Sequence, residues 1–330
     1  HTLRRLIHLW STPSRSPNHH DLLRALHSSD DPLPLLRKLA EVAGDASRVH
    51  ELAGNADCVP SVAGVLLGEG LGLVEMELAA RVLSSVLLAR KEDAGAGGDD
   101  VSSLRNPRAV SSLLAVLKGG TLESRVAAAW VLESIASSGA ESKLLVAETE
   151  GLLPELLRLL GDGGEGEGED AALACLAAVS SHRRVRPRLV RLGAVPALGG
   201  LLARQSTAAG VAERALRVME AAAGCPEGRA AICEDAAAVG AVVGRVMGGT
   251  AAATESAVAV LWSVCRLFRD RRAEEVVAAS NGLTRVLLLM QSNCSPAARE
   301  MAGDLLKIFR VSSKGCLPGF DFNPTHIMPF

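Results

Sequence analysis

Apolar residues recur along most of this chain at intervals of three and four, the period of helices that bury one face. Short turn phrases punctuate them, the clearest being Gly193-Ala194-Val195-Pro196-Ala197-Leu198. Gly193 permits a sharp turn, and Pro196, with its fixed φ and missing N–H, suits the first turn of the helix that follows. Gly151-Leu152-Leu153-Pro154-Glu155-Leu156 is the same phrase 42 residues earlier, a spacing in the range of helical repeat arrays. Walking outward, matching positions fall at Asp57, Arg108, Gly151, Gly193, Ala237 and Asn281, at intervals of 51, 43, 42, 44 and 44.

Each unit predicts a short helix ahead of the anchor, as in Ser142 to Glu148 or Arg188 to Leu192, and two longer helices after it. The last helices read Met76–Ala89, Arg125–Ser137, Asp170–Ser181, Val211–Ala223, Glu255–Phe268 and Ala297–Arg310. Three helices per unit favour armadillo over two-helix HEAT repeats, so the expected fold is an all-α, right-handed superhelical armadillo solenoid. Ser111, Gly240 and Thr284 stand where Pro154 and Pro196 stand, so the register of those units is weaker.

The organisation expected along the chain is a helix end at 1–10, a linker at 11–20 that includes His19-His20, and a degenerate capping repeat at 21–56. About six repeats follow over 57–311, with a tail over 312–330. The long first interval holds Asp93-Ala94-Gly95-Ala96-Gly97-Gly98-Asp99-Asp100, read as a loop insertion. Residues 161–170, rich in Gly and carboxylates, read as an unpacked spacer whose Asp170 caps the next helix. The tail carries three Pro with Phe320, Phe322 and Phe330, and is expected to fold back over the last repeat.

Composition changes this picture in four places. Aromatics make up 2% with no Tyr, so Ala, Leu and Val must fill the core and let helices approach closely. A formal net charge of −2 supplies no general attraction to nucleic acid. The seven cysteines, at 58, 175, 225, 233, 265, 294 and 316, form no Cys-x-x-Cys pair and read as reduced, structural thiols. No uncharged run of about 18 apolar residues appears, so stable membrane insertion is not expected; the expected location is the cytoplasm, with the nucleus as a second. The histidines lack metal-ligand spacing, and the Gly-rich acidic stretch lacks the Lys-Ser/Thr end of a phosphate loop. No catalytic, metal or cofactor set is therefore expected on this chain.

Two ends and two internal phrases carry a resemblance. Thr2-Leu3-Arg4-Arg5-Leu6-Ile7-His8-Leu9-Trp10 looks like the closing helix of a U-box, and Thr325-His326-Ile327-Met328-Pro329-Phe330 like the C-terminal ending of one subgroup of plant U-box/armadillo ubiquitin ligases. Ala257 to Cys265 and Leu287 to Ser292 match that stress- and defence-related subgroup in type. The resemblance implies a substrate-recognition region, with a ubiquitin-conjugating enzyme engaged by a U-box of which this chain carries only the end. Because the chain begins at His1 inside a helical pattern, the natural start is expected upstream, and the fragment is expected to be inactive alone. The alternative is a non-enzymatic armadillo adaptor.

Stacked third helices line the groove of armadillo proteins, so the groove candidates lie there. Ala128-Ala129-Trp130-Val131-Leu132-Glu133-Ser134-Ile135 resembles the groove phrase of peptide-binding members, but Ser134 stands where an Asn would grip a backbone, as does Ser263 further on. Without those amides a folded or helical partner surface is favoured over a long basic peptide, which also disfavours an importin-like carrier. Trp262 falls at the register of Glu133 rather than of Trp130, leaving open which tryptophan is core and which is groove. Trp262, Arg266, Glu133, Ser134 and Arg217 are the candidate partner-binding residues. The run Arg183, Arg184, Arg186, Arg188 and Arg191 reads as a solvated face.

Overall fold

The computed structural model describes residues 19–29, 31–92, 101–162 and 166–313, and all regular structure among them is helical. The helix end at 1–10, most of the linker, the 93–100 insertion and the tail from 314 lie outside the described residues. Two compact units divide the chain, one through Val179 and one from Ser180.

The first unit opens with α1 (His19–Ser28), α2 (Leu33–Ala43) and α3 (Val49–Ala53). His19 and His20 thus begin a helix instead of ending a linker, and the His20 ring lies 3.1 Å from the Asn55 amide. Then follow α4 (Cys58–Leu66), α5 (Leu73–Glu92), α6 (Pro107–Gly119), α7 (Leu122–Ser137), α8 (Ala140–Glu148), α9 (Leu152–Asp162) and α10 (Glu167–Ser180). Long helix α5 packs on α2 on one side and α7 on the other. Ala79, Ala80, Leu83, Ala128, Leu132 and Ile135 in that contact are fully buried, and the small ones let the backbones approach. The second unit runs α11 (Val185–Arg191), α12 (Ala194–Ala203), α13 (Ala209–Ala223), α14 (Pro226–Glu234), α15 (Ala236–Arg245) and α16 (Ala251–Trp262). It closes with α17 (Arg271–Ala279), α18 (Gly282–Gln291) and α19 (Pro296–Ser313).

The anchor phrase marks a left-handed corner. Gly151, Gly193 and Asn281 have φ of 83°, 85° and 59°, values that Gly and Asn tolerate best. Two anchors were placed two residues late. Helix α6 starts at Pro107 under Asn106, whose side chain accepts from Arg108 N–H at 2.9 Å, and α15 starts at Ala236 under Asp235, which accepts from Ala238 N–H at 2.9 Å. In both, an oxygen-bearing N-cap replaces the glycine corner. The acidic stretch also needs correcting, since α10 begins at Glu167, with Gly168 and Glu169 buried, and Asp170 lies inside the helix. Carboxylates in a first turn favour the helix through its dipole.

Two clasps recur between repeats. In the first, an arginine on a second helix donates to the carbonyl end of the previous one. Arg158 reaches Leu117 and Lys118 at 3.0 Å each, Arg245 reaches Leu202 at 3.0 Å and Arg204, and Arg285 reaches Gly244 at 3.2 Å and Val246 at 2.9 Å. In the second, a glutamate on a third helix accepts from the cap residue of the next. Glu77 takes Thr121 N–H at 2.6 Å, Glu213 the Thr250 hydroxyl at 2.6 Å and Glu255 the Ser295 hydroxyl at 2.9 Å. The basic run is partly structural too: Arg186 donates to the Ser180 carbonyl at 3.1 Å and so caps α10, while Arg183 and Arg184 are exposed.

Helix α16 continues as a π turn over Ser263–Phe268 and ends at Arg269, with φ of 57°. By length and composition alone Ala251–Phe268 would cross a membrane, but half of it is buried against α13, α15 and α19, as a core helix is. Five of the six described cysteines are buried and all six are free thiols. Burial pushes Cys58 and Cys265 up to about 12 and Cys233 up to about 11. Cys175 is raised further by the same cause. The thiolate being the nucleophile, half-exposed Cys294 is expected to alkylate at pH 8 well before these four. Peptide mass mapping checks this, and equal labelling of Cys58 in the native protein would refute the buried assignment.

Candidate functional site on the third helices

Helices α2, α5, α7 and the start of α10 frame a cavity of about 400 Å³ in the first unit. From α5 come Arg81, Ser84, Ser85 and Leu88, and from α7 come Glu123, Val126, Ala127 and Trp130. Each set is spaced i, i+3, i+4, i+7, one face of a helix. The two sets stand 42 residues apart position by position, so one stripe of the repeat is presented twice. Glu167 and Asp170 of α10 add carboxylates, and Ala40, Ala43 and Gly44 close the far side. Arg81 bridges the stripes by an ion pair to Glu123 at 2.7 Å. Three carboxylates and one guanidinium therefore line the cavity around an apolar floor of Leu88, Val126 and half-buried Trp130. Such a surface suits a partner segment that offers an apolar side chain beside a cation.

None of the five sequence-predicted groove residues lines this cavity. Glu133 and Ser134 are half-buried one turn further along α7. Glu133 accepts from Lys91 at the end of α5 and from the Ser137 hydroxyl at 2.9 Å, which makes it a link between repeats. The others lie in the second unit. Trp262 is half-buried and its indole N–H donates to Asp304 on α19 at 3.3 Å, while Arg266 is exposed with its charge beside the same carboxylate. The Lys307 ammonium at 2.9 Å, and after it the Trp262 indole, hold Asp304 below the usual carboxylate range. The structure thus brings Trp262 and Arg266 together on one carboxylate. Arg217 stands apart, its side chain 60% exposed and 3.6 Å from Glu213 on its own helix.

Trp130 was in the quoted groove phrase but not among the candidates, and Arg81, Ser85 and Leu88 were missed altogether. A signal was present, because the stripe 81/84/85/88 recurs at 123/126/127/130. Among the described residues no three His, Cys, Asp or Glu side chains are grouped to hold a metal ion.

Comparison with known proteins gives the family and the fold. The family model for the plant U-box protein ARM repeat region matches residues 73–327. U-box domain-containing protein 28 of Arabidopsis thaliana is 42% identical over 221 residues, 67% of this chain and 54% of that relative, so the match spans about half of its length. U-box domain-containing protein 29 of the same plant is 30% identical over 100% of this chain and 83% of its own. The E3 ubiquitin-protein ligase PUB23, also from Arabidopsis thaliana, is 26% identical over 96% of this chain and 81% of its own. Among solved structures, the designed armadillo repeat protein YIII(Dq)4CqI superposes with a TM-score of 0.59 at 21% identity, covering 76% of this chain and 99% of its own. A related design solved in complex with the peptide (KR)4 gives a TM-score of 0.57. At that identity the likeness shows the fold, an armadillo solenoid.

Proposed function

We propose, on the premise that this chain belongs to the plant U-box proteins and carries their armadillo repeat region, that it is the substrate-recognition part of a U-box ubiquitin ligase. It holds a target protein while a conjugating enzyme, engaged by the U-box, delivers ubiquitin. Such a ligase gains its rate by positioning, a task that asks no nucleophile or metal of the solenoid. The ending Thr325 to Phe330 supports the finer assignment to stress or defence signalling, and the location that goes with this reading is the cytoplasm, with the nucleus second.

The observation that carries this reading is the repeated stripe around Trp130. Tryptophan in a desolvated pocket is a common energetic anchor of protein interfaces. The carboxylates that line the cavity favour a target segment with Lys or Arg next to an apolar residue. Missing amide ladders disfavour a long extended peptide, so a short segment or a helix face is the fitting ligand.

Reconstituted ubiquitination with the full-length encoded protein tests this, using targets recovered by cross-linking. Trp130→Ala is expected to lower transfer to those targets about thirtyfold, the equivalent of a hot-spot loss of about 2 kcal/mol, and to leave autoubiquitination unchanged. Undiminished target transfer in the variant would remove the stripe from the binding site. No ubiquitin transfer by the full-length protein with any conjugating enzyme would favour the adaptor reading.

A further inference from the structure

The second unit opens with a stretch, 180–212, that holds six arginines and no Asp or Glu in 33 residues. The whole chain has 37 carboxylates in 330 residues, a frequency that would place three or four in such a length. Positive charge is therefore left uncompensated here, on a chain whose formal net charge is −2. Part of it serves the fold: Arg186 donates to the Ser180 and Ser181 carbonyls, and Arg188 and Arg204 are half-buried. Arg183, Arg184 and Arg191 are exposed. The first two make no hydrogen bond or ion pair among the described residues, and Arg191 returns its Nε to the Pro187 carbonyl of its own helix at 3.3 Å. Helix α11 turns Val185 and Leu189 inward, which leaves Arg184, Arg188 and Arg191 at i, i+4, i+7 along the other side. Leu192 follows at 43% exposure, and past the Gly193 corner α12 presents Pro196, Ala197, Gly200 and Ala203, all exposed and uncharged. An added Cβ at Gly200 would meet nothing within 4 Å, so this strip is smooth and open to close approach.

We propose that α11 and the outer face of α12 dock an acidic amphipathic helix of a partner protein. Its carboxylates meet the guanidiniums of Arg184 and Arg191, and its apolar edge covers Leu192 and the smooth strip beyond. Seven residues of helix separate the two arginines by about 10 Å, the distance between carboxylates two turns apart on the docked helix. Planar guanidinium forks pair with carboxylates through two parallel hydrogen bonds, which fixes orientation as well as charge. The surroundings favour a helix over an anionic membrane. Helix α11 packs on α13 and α14, where Glu220, Glu227 and Glu234 are exposed. A broad anionic plane resting on α11 would be pressed towards these carboxylates, whereas a helix about 10–12 Å across is narrow enough to follow α11 alone. The surface is built from first and second helices, so it is distinct from the third-helix stripe around Trp130 and does not depend on that stripe holding the target.

The test uses the whole chain and a fluorescein-labelled peptide of about 20 residues, long enough to hold a helix, with Glu along one edge and Leu along the next. Fluorescence polarisation is expected to show binding that weakens as salt rises. Arg184→Glu/Arg191→Glu is expected to raise Kd at least about tenfold, and Leu192→Ser about threefold. The same double reversal on exposed residues of α2, Arg37→Glu/Lys38→Glu, is expected to leave Kd within about twofold. A reversal on α11 that binds as the parent does would overturn the proposal. Equal losses from the α2 pair would also overturn it, since net charge alone would then explain the binding, and so would equal affinity for the peptide with Lys in place of Glu. Should the α11 reversal lower Tm, Arg184→Gln/Arg191→Gln reads the same site, and an unchanged Kd there would be equally fatal. Vesicles of phosphatidylcholine and phosphatidylserine in equal parts that pellet the parent but not the α11 variant, with no peptide bound, would assign the arginines to a membrane instead.

Discussion

Gly199→Leu is expected to destabilise the second unit by about 3 kcal/mol, at the upper end of overpacking costs, whereas Gly200→Ala beside it is expected to add about 0.5–1 kcal/mol. The opposite signs come from one helix facing two ways. At Gly199 an added Cβ would lie 2.7 Å from the Ala238 Cβ and 3.0 Å from its Cα, so α15 itself would have to move. At Gly200 nothing lies within 4 Å of an added Cβ and φ is ordinary, so alanine only reduces the freedom of the unfolded chain. Urea denaturation followed by circular dichroism measures both. Equal effects, or a tolerated leucine at 199, would mean that α12 and α15 do not approach as described.

Arg245→Ala is expected to cost about 1–3 kcal/mol, the penalty of leaving part-buried carbonyls without their donors. The guanidinium donates through Nε to Leu202 and through a terminal nitrogen to Arg204, closing the carbonyl end of α12 from the next repeat. Arg245→Lys should recover less than half of this, since an ammonium is a point donor on a flexible stem and cannot span both oxygens. Arg217→Ala supplies the contrast: its charge sits in solvent on an i, i+4 pair, and its loss is expected to change stability by about 0.5 kcal/mol or less. Thermal melts of the three variants rank them, and an Arg245→Ala melt no lower than that of Arg217→Ala would sink the clasp.

The third helices were legible because each carries a long run of small and branched apolar residues at helical period. Their starts were read late. Helix α5 begins at Leu73 rather than Met76, α7 at Leu122 rather than Arg125, and α16 at Ala251 rather than Glu255. These first turns project beyond the core, so Leu73, Val74 and Leu122 are exposed and break the expected pattern. The capping hydroxyls of Thr121, Thr250 and Ser295 were the usable start signals, each accepting from an N–H three residues on. The same applies at Asn106 and Asp235, where a polar cap replaced the glycine of the anchor phrase.

The groove was harder to read. A third helix in a stack is covered on both sides by its neighbours, so the apolar period marks most of its circumference and does not single out the open stripe. Trp130 and Trp262 differ by three residues in register, nearly one helical turn. In the first unit that difference separates a cavity wall from the Lys91–Glu133 link, and in the second it places Trp262 on Asp304.

By itself the sequence determined the repeat, its three-helix unit, the sharp turns at Gly151 and Gly193 and the kinship with plant U-box proteins. All of these depend on local period, on single-residue backbone preference or on short phrases. Tertiary structure alone decided which side chains meet across repeats: Arg245 on the end of α12, Arg81 on Glu123, Trp130 over the cavity, and the leucines of α18 left uncovered by the described residues. Those partners lie about one repeat apart in the chain, and their meeting depends on how one helix is rotated against the next, which no local pattern encodes.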